Sequence, residues 1–454
     1  MKILITGATG LIGKELGKKL AEKGHELLII SRNANKARSE VPFPCAIIEG
    51  DLEQQALKDP RLKEVEVVFN LLGESVATRW TEAKKKSIYD SRINSTAHLL
   101  KSLSKNLKVF ISSSATGIYG DRGDEILTEK SPLGEDFLAK VCIDWEKEAE
   151  KAVEKFRARV VCVRTGVVLS ANGGALDKML LPFRYGVGGA LGKGLQWMSW
   201  IHLDDIVGLY IFALENENIQ GPLNGVAPFP VTNKEFTKSL ASSLGQRALL
   251  PVPPLALKLL YGEMSKVILG SQRCDANKAL HAGYHFQYER INGVLESICT
   301  PYRAGEERLY QEQFLPRTPK EIFPFFQDAN NLEKLTPATL QFKIDKISTA
   351  ELQQGTKIDY TLKIHGVPVK WKTEIEDWHP PRKFVDNQLS GPYSLWHHTH
   401  EFRAFCGGTL MIDEVRYRLP LKKLGWMVAG ALVRQDIENI FKFRRQFASE
   451  MYNK

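Results

Sequence analysis

Lys2-Ile-Leu-Ile-Thr-Gly-Ala-Thr-Gly-Leu-Ile-Gly13 is a short apolar run that breaks into glycines spaced GxxGxxG and continues as a helical stretch to about Lys23. Gly7 permits a tight turn, Gly10 lets backbone approach a pyrophosphate, and Gly13 allows close contact between helix and strand. The helix N-terminus that follows supplies N–H groups and positive potential, so Thr9, Leu11 and Ile12 belong to the same anion-facing turn. A glycine triplet alone is weak, but at a first strand-to-helix junction it predicts dinucleotide binding, with bare packing as the alternative.

Outward from that turn, Leu27 to Ile30, Val65 to Phe69, Val109-Phe110-Ile111 and Val160 to Val163 alternate with helical stretches up to about Thr165. This is the pattern of a parallel sheet covered on both faces, an α/β doubly wound domain of the Rossmann type. From about 166 to 302 the alternation loosens. Five glycines between Gly186 and Gly194 and three prolines between Pro251 and Pro254 suggest a smaller substrate lobe completing the first domain, 1–302. Residues 303–308, with Gly305 and two Glu, are expected to be a linker. Beyond it, 309–454 reads as an α+β module: a strand at Leu309 to Phe314, a helix at Pro319 to Leu335, several alternating strands from Phe342 to Val415, and a helix from about Leu424 to Tyr452.

A chain of 454 residues exceeds the roughly 100–200 residues of one domain, and 43% hydrophobic with 25% charged residues excludes a disordered or low-complexity protein. The net charge of +9 is spread: from Glu306 onward there are 22 Lys and Arg against 19 Asp and Glu. The short run Lys84-Lys85-Lys86 reads as a solvated helix face, so no nucleic-acid partner is expected. Six scattered cysteines without a CxxC pair fit a reducing compartment. No signal peptide is visible, and Leu424 to Val433 is about half the roughly 20 residues of a membrane span. The expected location is the cytoplasm.

The second strand ends at Ile30-Ser31-Arg32, where an Asp or Glu would hold a ribose 2′-hydroxyl. An Arg there pairs with a 2′-phosphate and Ser31 can donate to it, which predicts NADP(H) over NAD; Arg32 as a solvated loop charge is the alternative. Asp51 and Leu52 fall after the third strand, where an adenine contact is expected. Leu71 and Gly73 follow the fourth strand, beside the cofactor path.

These stretches, with Ser112-Ser-Ser-Ala-Thr-Gly-Ile-Tyr-Gly120, Trp200-Ile-His-Leu-Asp-Asp205 and Leu269 to Tyr288, resemble the epimerase-like branch of the short-chain dehydrogenase/reductase superfamily over roughly Met1 to Tyr288. The resemblance implies a small-molecule substrate, a sugar nucleotide or another carbonyl or hydroxyl compound, and a possible homodimer. It places Ser114 at the position that orients the reacting oxygen and Asn94 at the helix Asn of the same site. The superfamily's YxxxK motif sets a Lys beside a phenol, whose reference pKa of about 10 needs a nearby cation to work near neutrality. Here the aligned stretch is Asp136-Phe-Leu-Ala-Lys140: the Lys is present and the Tyr is replaced by Asp. Lys140 remains a candidate for the nicotinamide ribose. Tyr119, the nearest phenol, is either a pocket residue or a replacement acid, and Asp136 is a further proton carrier if desolvated. Asp204 or Asp205 reads as a helix cap after His202 rather than as an acid. Arg79, Trp80 and Arg92 border the pocket and can hold an anionic substrate.

The last 150 or so residues resemble the helix-grip, START-like or polyketide-cyclase-like (SRPBCC) family, on pattern and on Thr318-Pro-Lys-Glu-Ile-Phe and Ile440-Phe-Lys-Phe-Arg. That likeness implies an apolar cavity for a hydrophobic ligand. In Trp396-His-His-Thr-His400 a strand puts His398 and His400 on one face and His397 on the other. No Cys or carboxylate at suitable spacing completes a tetrahedral set, so strand packing with polar edges is expected and no metal site. The leading expectation is an NADP(H)-dependent epimerase-like oxidoreductase; the alternatives are a catalytically silent NADP(H)-responsive protein and a lipid carrier.

Overall fold

The apolar runs of the first half become neighbouring strands of one parallel sheet. The computed structural model describes residues 1–184, 186–248, 250–303, 305–421 and 423–453, in two units: Met1–Ala34 with Cys45–Thr300, and Asn35–Pro44 with Pro301–Lys454.

In the first unit, β1 (Lys2–Thr6), β2 (Glu26–Ser31), β3 (Ala46–Glu49), β4 (Val67–Asn70), β5 (Val109–Ala115), β6 (Arg159–Thr165) and β7 (Gly221–Gly225) line up in the order β7-β6-β5-β4-β1-β2-β3. All pairings are parallel. Ile3, Leu4 and Ile5 are fully buried, as strands covered on both faces must be. Helices α1 (Leu11–Glu22), α2 (Glu82–Ser102) and α3 (Phe137–Phe156) connect them. One face packs Leu4, Val68, Phe110 and Val160 against Leu99, Leu100, Ala149 and Ala152; each large aliphatic side chain buried there contributes about 1.5–3 kcal/mol. The strand order reverses between β1 and β4, which opens a crevice at their carboxyl ends. Among the described residues no helix is long and apolar enough to cross a membrane.

The looser stretch after Thr165 sends β7 back to the main sheet and otherwise makes small two-stranded pairs, such as Val167–Leu169 with Trp200–His202.

The second unit is a seven-stranded antiparallel sheet. Its strands are β8 (Glu307–Leu315), β9 (Lys343–Ile347), β10 (Lys357–Ile364), β11 (Val367–His379), β12 (Lys383–Ser390), β13 (Leu395–Phe405) and β14 (Gly408–Arg418). The last six form a meander, and β8 adds beside β14. Helix α4 (Lys423–Tyr452), 30 residues long, lays Ile437 and Phe441 on Leu362, Trp371, Trp396 and Val415. Asn35–Pro44 joins this unit, where Phe314 N–H donates to the Val41 carbonyl.

Two boundaries differ from the sequence reading. The expected linker is shorter: the chain is helical to Arg303 and in a strand from Glu307, with Ala304 outside the described residues. The helix expected over 319–335 stops at Phe326, and the Asp328 side chain caps a separate turn at Ala329–Leu332.

Candidate functional site

Gly7 leaves β1 at φ +69°, a conformation that L side chains rarely adopt, and a Cβ there would sit 2.7 Å from the Leu71 carbonyl oxygen. Gly13 is held closer still: its Cβ would lie 2.4 Å from the Gly7 oxygen and 2.7 Å from the Ala8 Cα. A Cβ on Gly10 would meet only the Gly7 oxygen, at 3.2 Å. Gly10 is the N-cap of α1 and gives the helix no side-chain cap. The two long crossover helices of this unit are capped by side chains: Thr81 accepts from Lys84 N–H, and Asp136 accepts from Ala139 N–H. The first-turn N–H groups of α1, at the reversal of strand order, are thus left to an external acceptor, the geometry a pyrophosphate takes.

At the end of β2, Ser31 is folded into a local turn, with its Oγ donating to the Asn33 carbonyl and accepting from Asn33 N–H. Arg32 is exposed and has no ion pair or hydrogen bond with a described side chain. Asp51 Oδ1 accepts from Glu53 N–H, and Leu52 buries its side chain in the core while its carbonyl faces His98 Nδ1. Leu71 is bonded through its N–H to Thr6 and through its carbonyl walls the Gly7 turn. Gly73 lies under the Arg92 guanidinium, whose Cζ would be 2.9 Å from a Cβ there. Arg92 donates to the Ile88 carbonyl and packs on the Trp145 ring, with no carboxylate partner among the described residues. Burial lowers its pKa. A desolvated cation without a counter-ion is a receptor for an anion.

Two of the expected catalytic residues, Ser114 and Tyr119, are joined through Glu146 and Arg164. Ser114 is buried and its Oγ donates to Glu146 Oε1 at 2.6 Å. Glu146 takes a bidentate pair from Arg164, Nε to Oε1 at 2.9 Å and Nη2 to Oε2 at 2.8 Å. Arg164 Nη1 then donates to Tyr119 Oη at 3.0 Å, and Tyr119 donates to Asn224 Oδ1 at 2.7 Å. Tyr119 is 0% exposed, and burial pushes its hydroxyl well above its ordinary pKa. Tyr119 is a neutral member of a buried chain of hydrogen bonds. Asp136, the residue in place of the phenol, is exposed and spends one oxygen on the α3 cap. Lys140 is exposed with no partner for its ammonium among the described residues, and Asn94 is half-buried with its amide likewise unbonded.

The cap reading of Asp204 or Asp205 is corrected. His202 caps its helix, its Nδ1 accepting from Asp204 N–H, and burial lowers its pKa. Asp205, fully buried, accepts from Gln287 and Tyr288 N–H at 2.8 and 2.9 Å and pins the Leu269–Tyr288 segment. Asp205→Ala leaves those two amides without acceptors, and an expected loss of about 1–3 kcal/mol per orphaned group is checked by the denaturation midpoint. Sequence reasoning missed Glu146 and Asn224; the signal available was Arg164, a charge closing the apolar strand Val160-Val-Cys-Val163 and therefore in need of a buried partner.

A model of the NAD dependent epimerase/dehydratase family matches residues 3–224, and one for a domain of unknown function, DUF1731, matches 252–298. The epimerase family protein SDR39U1 homolog, chloroplastic, of Arabidopsis thaliana is 37% identical over 306 residues, 66% of this chain and 86% of that protein. This chain belongs to the epimerase family. Another epimerase family relative, YfhF of Bacillus subtilis, is 37% identical over 303 residues and 98% of its length is covered. Among solved structures, human epimerase family protein SDR39U1 (isoform 2) with NADPH matches at TM-score 0.58 and 32% identity over 66% of this chain and 99% of that one. UDP-N-acetylglucosamine 4-epimerase from Bacillus cereus, at 18% identity and TM-score 0.51, covers 66% of this chain and 98% of its own and shares the fold. The epimerase-family chain carries a parallel sheet with a glycine turn at its first crossover.

Beyond the epimerase region, the second unit holds a partly open cavity of about 890 Å³ lined mainly by apolar side chains, among them Leu335, Tyr360, Trp371, Trp396, Ile437 and Phe441. Trp371 Nε1 and Arg444 Nε, on two of its buried lining residues, have no hydrogen-bond partner among the described residues. His398 and His400 face this cavity, as the strand alternation predicts, but the carboxylates that local spacing did not supply come from flanking strands: Asp386 pairs in register with His398 and Asp413 with His400. Burial opposes charge on both rings. The two carboxylates more than offset it at His398, whose pKa is raised; at His400 burial and the neighbouring His398 win, and its pKa is lowered. Both carboxyl groups are held below their ordinary range in spite of burial, Asp386 by His398 and His400, and Asp413 by Arg444 and the same rings.

Proposed function

We propose that the first unit binds NADP(H) and acts as an epimerase-like oxidoreductase on an anionic sugar nucleotide or another carbonyl or hydroxyl substrate. The observation that carries this reading is the uncapped glycine turn at the strand-order reversal together with an unpartnered Arg32 at the end of β2. The human relative solved with NADPH supports the same cofactor. Gly7, Thr9, Gly10, Leu11, Ile12 and Gly13 would hold the pyrophosphate, Ser31 and Arg32 the 2′-phosphate, and Asp51, Leu52, Leu71 and Gly73 the remaining edge. When bound, the nicotinamide supplies a two-electron hydride donor or acceptor. Arg92 would orient an anionic group, since its guanidinium is desolvated and forms no ion pair with a carboxylate among the described residues. Lys140 and Asn94, both unbonded, supply polar contacts, and Ser114 is held by Glu146 in one rotamer.

Arg32→Asp is expected to weaken NADPH binding about 10–100-fold while leaving NADH binding level or improved, because one charge-assisted contact is worth about 1.5–3 kcal/mol. Titration of both cofactors by calorimetry checks this; unchanged affinity and unchanged preference would sink the assignment.

A second reading is favoured by Tyr119 and Asp136: with the Tyr119 phenol buried and the motif carboxylate capping a helix, the chain would be an NADP(H)-responsive binding protein without turnover. Incubation of NADP⁺ with a panel of sugar nucleotides deuterated at their carbinol carbons, and of C4-deuterated NADPH with carbonyl compounds, separates the two. Deuterium transfer lost in Lys140→Ala and Arg92→Ala supports the enzyme; binding without transfer supports the silent reading. The second unit is read as a helix-grip module whose cavity takes a hydrophobic ligand with one acceptor group, met by Trp371 Nε1 and Arg444 Nε.

A further inference from the structure

Asp386 on β12, His398 and His400 on β13 and Asp413 on β14 form a closed ring. His398 Nε2 lies 3.0 Å and His400 Nδ1 3.1 Å from Asp413 Oδ1; His398 Nδ1 lies 3.4 Å and His400 Nε2 3.0 Å from Asp386 Oδ2. The two imidazoles lie 3.6 Å apart between ring centres with their planes tilted by 40°, with Phe384 stacked on His400 and Phe441 edge-on to His398. His398, His400 and Asp413 are all but removed from water and Asp386 keeps only 18% of its side chain exposed, at the cavity, so each nitrogen-to-oxygen approach has to be accounted for.

An ionised carboxylate only accepts, and a neutral imidazole carries one N–H and one bare nitrogen. Two neutral rings therefore satisfy two of the approaches, and the other two would set nitrogen lone pairs against carboxylate oxygens. Added positive charge must close the ring, as protons or as a metal ion. The arrangement is not symmetric about that choice. Asp413 lies behind the cavity wall beside Arg444, whose Nη2 is 4.0 Å away, and both rings can donate to it. Asp386, His398 and His400 all line the cavity. With their N–H groups directed to Asp413, the rings turn His398 Nδ1 and His400 Nε2 toward Asp386 as bare ligand atoms.

We propose that Asp386, His398 and His400 bind one divalent transition-metal ion of the zinc or ferrous class, with Asp413 as the outer carboxylate that orients both imidazoles. One ligand atom from each of the three lies within 4.8 Å of the others, and the edges of 3.0 and 3.4 Å match the roughly 2.9–3.4 Å between neighbouring ligands of an ion bound at about 2.0–2.1 Å. Two imidazoles and one carboxylate leave coordination positions open. Those positions face the apolar cavity, where an oxygen of a bound ligand can complete the shell. Hydrogen bonds from a second-shell carboxylate fix ring orientation and raise ligand basicity, which is the part Asp413 plays.

The test uses the untagged full-length chain, stripped with chelator and desalted, then titrated with Co²⁺ and with Zn²⁺ near neutral pH. The expected result is one ion per chain, with Co²⁺ showing the intense visible bands of a four- or five-coordinate site and Zn²⁺ displacing it. His400→Gln and Asp386→Asn, shown folded by circular dichroism, are expected to lose those bands. Asp413→Asn is expected to keep a shifted spectrum with affinity weakened about 10–100-fold, which a purely structural role would not produce. Folded wild-type chain that takes up neither ion stoichiometrically, or binding that persists in His400→Gln, overturns the proposal and leaves the ring closed by protons.

Discussion

Arg164→Met is expected to destabilise the first unit by about 3–5 kcal/mol, the cost of leaving a buried carboxylate without its partner. Glu146 and Arg164 are 8% and 4% exposed, so water cannot take over when the guanidinium is gone. Burial works against the charge of Arg164, yet its pKa is raised, because two hydrogen bonds to Glu146 more than offset the desolvation. The substitution also removes the donor to Tyr119 and to the Glu129 carbonyl. Arg164→Met with Glu146→Leu is expected to recover much of the loss, since an apolar pair of similar volume makes no demand for a counter-charge. Urea denaturation of the four chains in a double-mutant cycle gives the coupling. The chain has two units, so the transition of the first must be resolved from that of the second. A single-variant cost under about 1 kcal/mol would mean that water reaches the pair. Because Ser114 donates to the same Glu146 oxygen that Arg164 Nε holds, any loss of NADPH-dependent turnover in these variants should follow Glu146 rather than Arg164.

What the sequence disclosed and what it hid divide along one physical line. Gly7, Gly10 and Gly13 act within one turn, and the apolar runs act within one strand, so the parallel sheet and its first crossover could be read from local spacing. The alternation of Trp396, His398, His400 and Phe402 is local too, and the structure keeps all four on one face. Glu146 and Arg164 sit on different elements and find each other only when α3 packs on β6. Asp386 and Asp413 reach the histidines from fourteen and fifteen residues away, through the register of two hairpins. A spacing rule written for one strand cannot see ligands brought in by its neighbours. Tyr119 shows the converse: its place beside Ser114 in sequence suggested chemistry, whereas packing turned its hydroxyl toward Asn224 and Arg164 and closed it off.

Gly10→Val and Gly13→Ala are expected to fail in different ways, and the difference tests the cofactor turn directly. At Gly10 a Cβ meets protein only at the Gly7 oxygen, at 3.2 Å, and the rest of a Val side chain would project where the pyrophosphate is to lie. The fold should persist with a small shift in Tm, while NADPH affinity falls on the order of 100-fold, or about 2.7 kcal/mol. At Gly13 even a methyl group would overlap the Gly7 carbonyl at 2.4 Å and the Ala8 backbone at 2.7 Å. Neither is the end of a flexible side chain, so α1 must move away from β1. The expected cost is about 1–3 kcal/mol of stability from overpacking, with loss of cofactor following from the displaced helix N-terminus. Thermal unfolding and NADPH titration, run on both variants, separate the two effects. A Gly10→Val chain that binds NADPH as the wild type does would place the cofactor elsewhere, because no cradle of backbone N–H groups can accept both a phosphate and an isopropyl group in the same space.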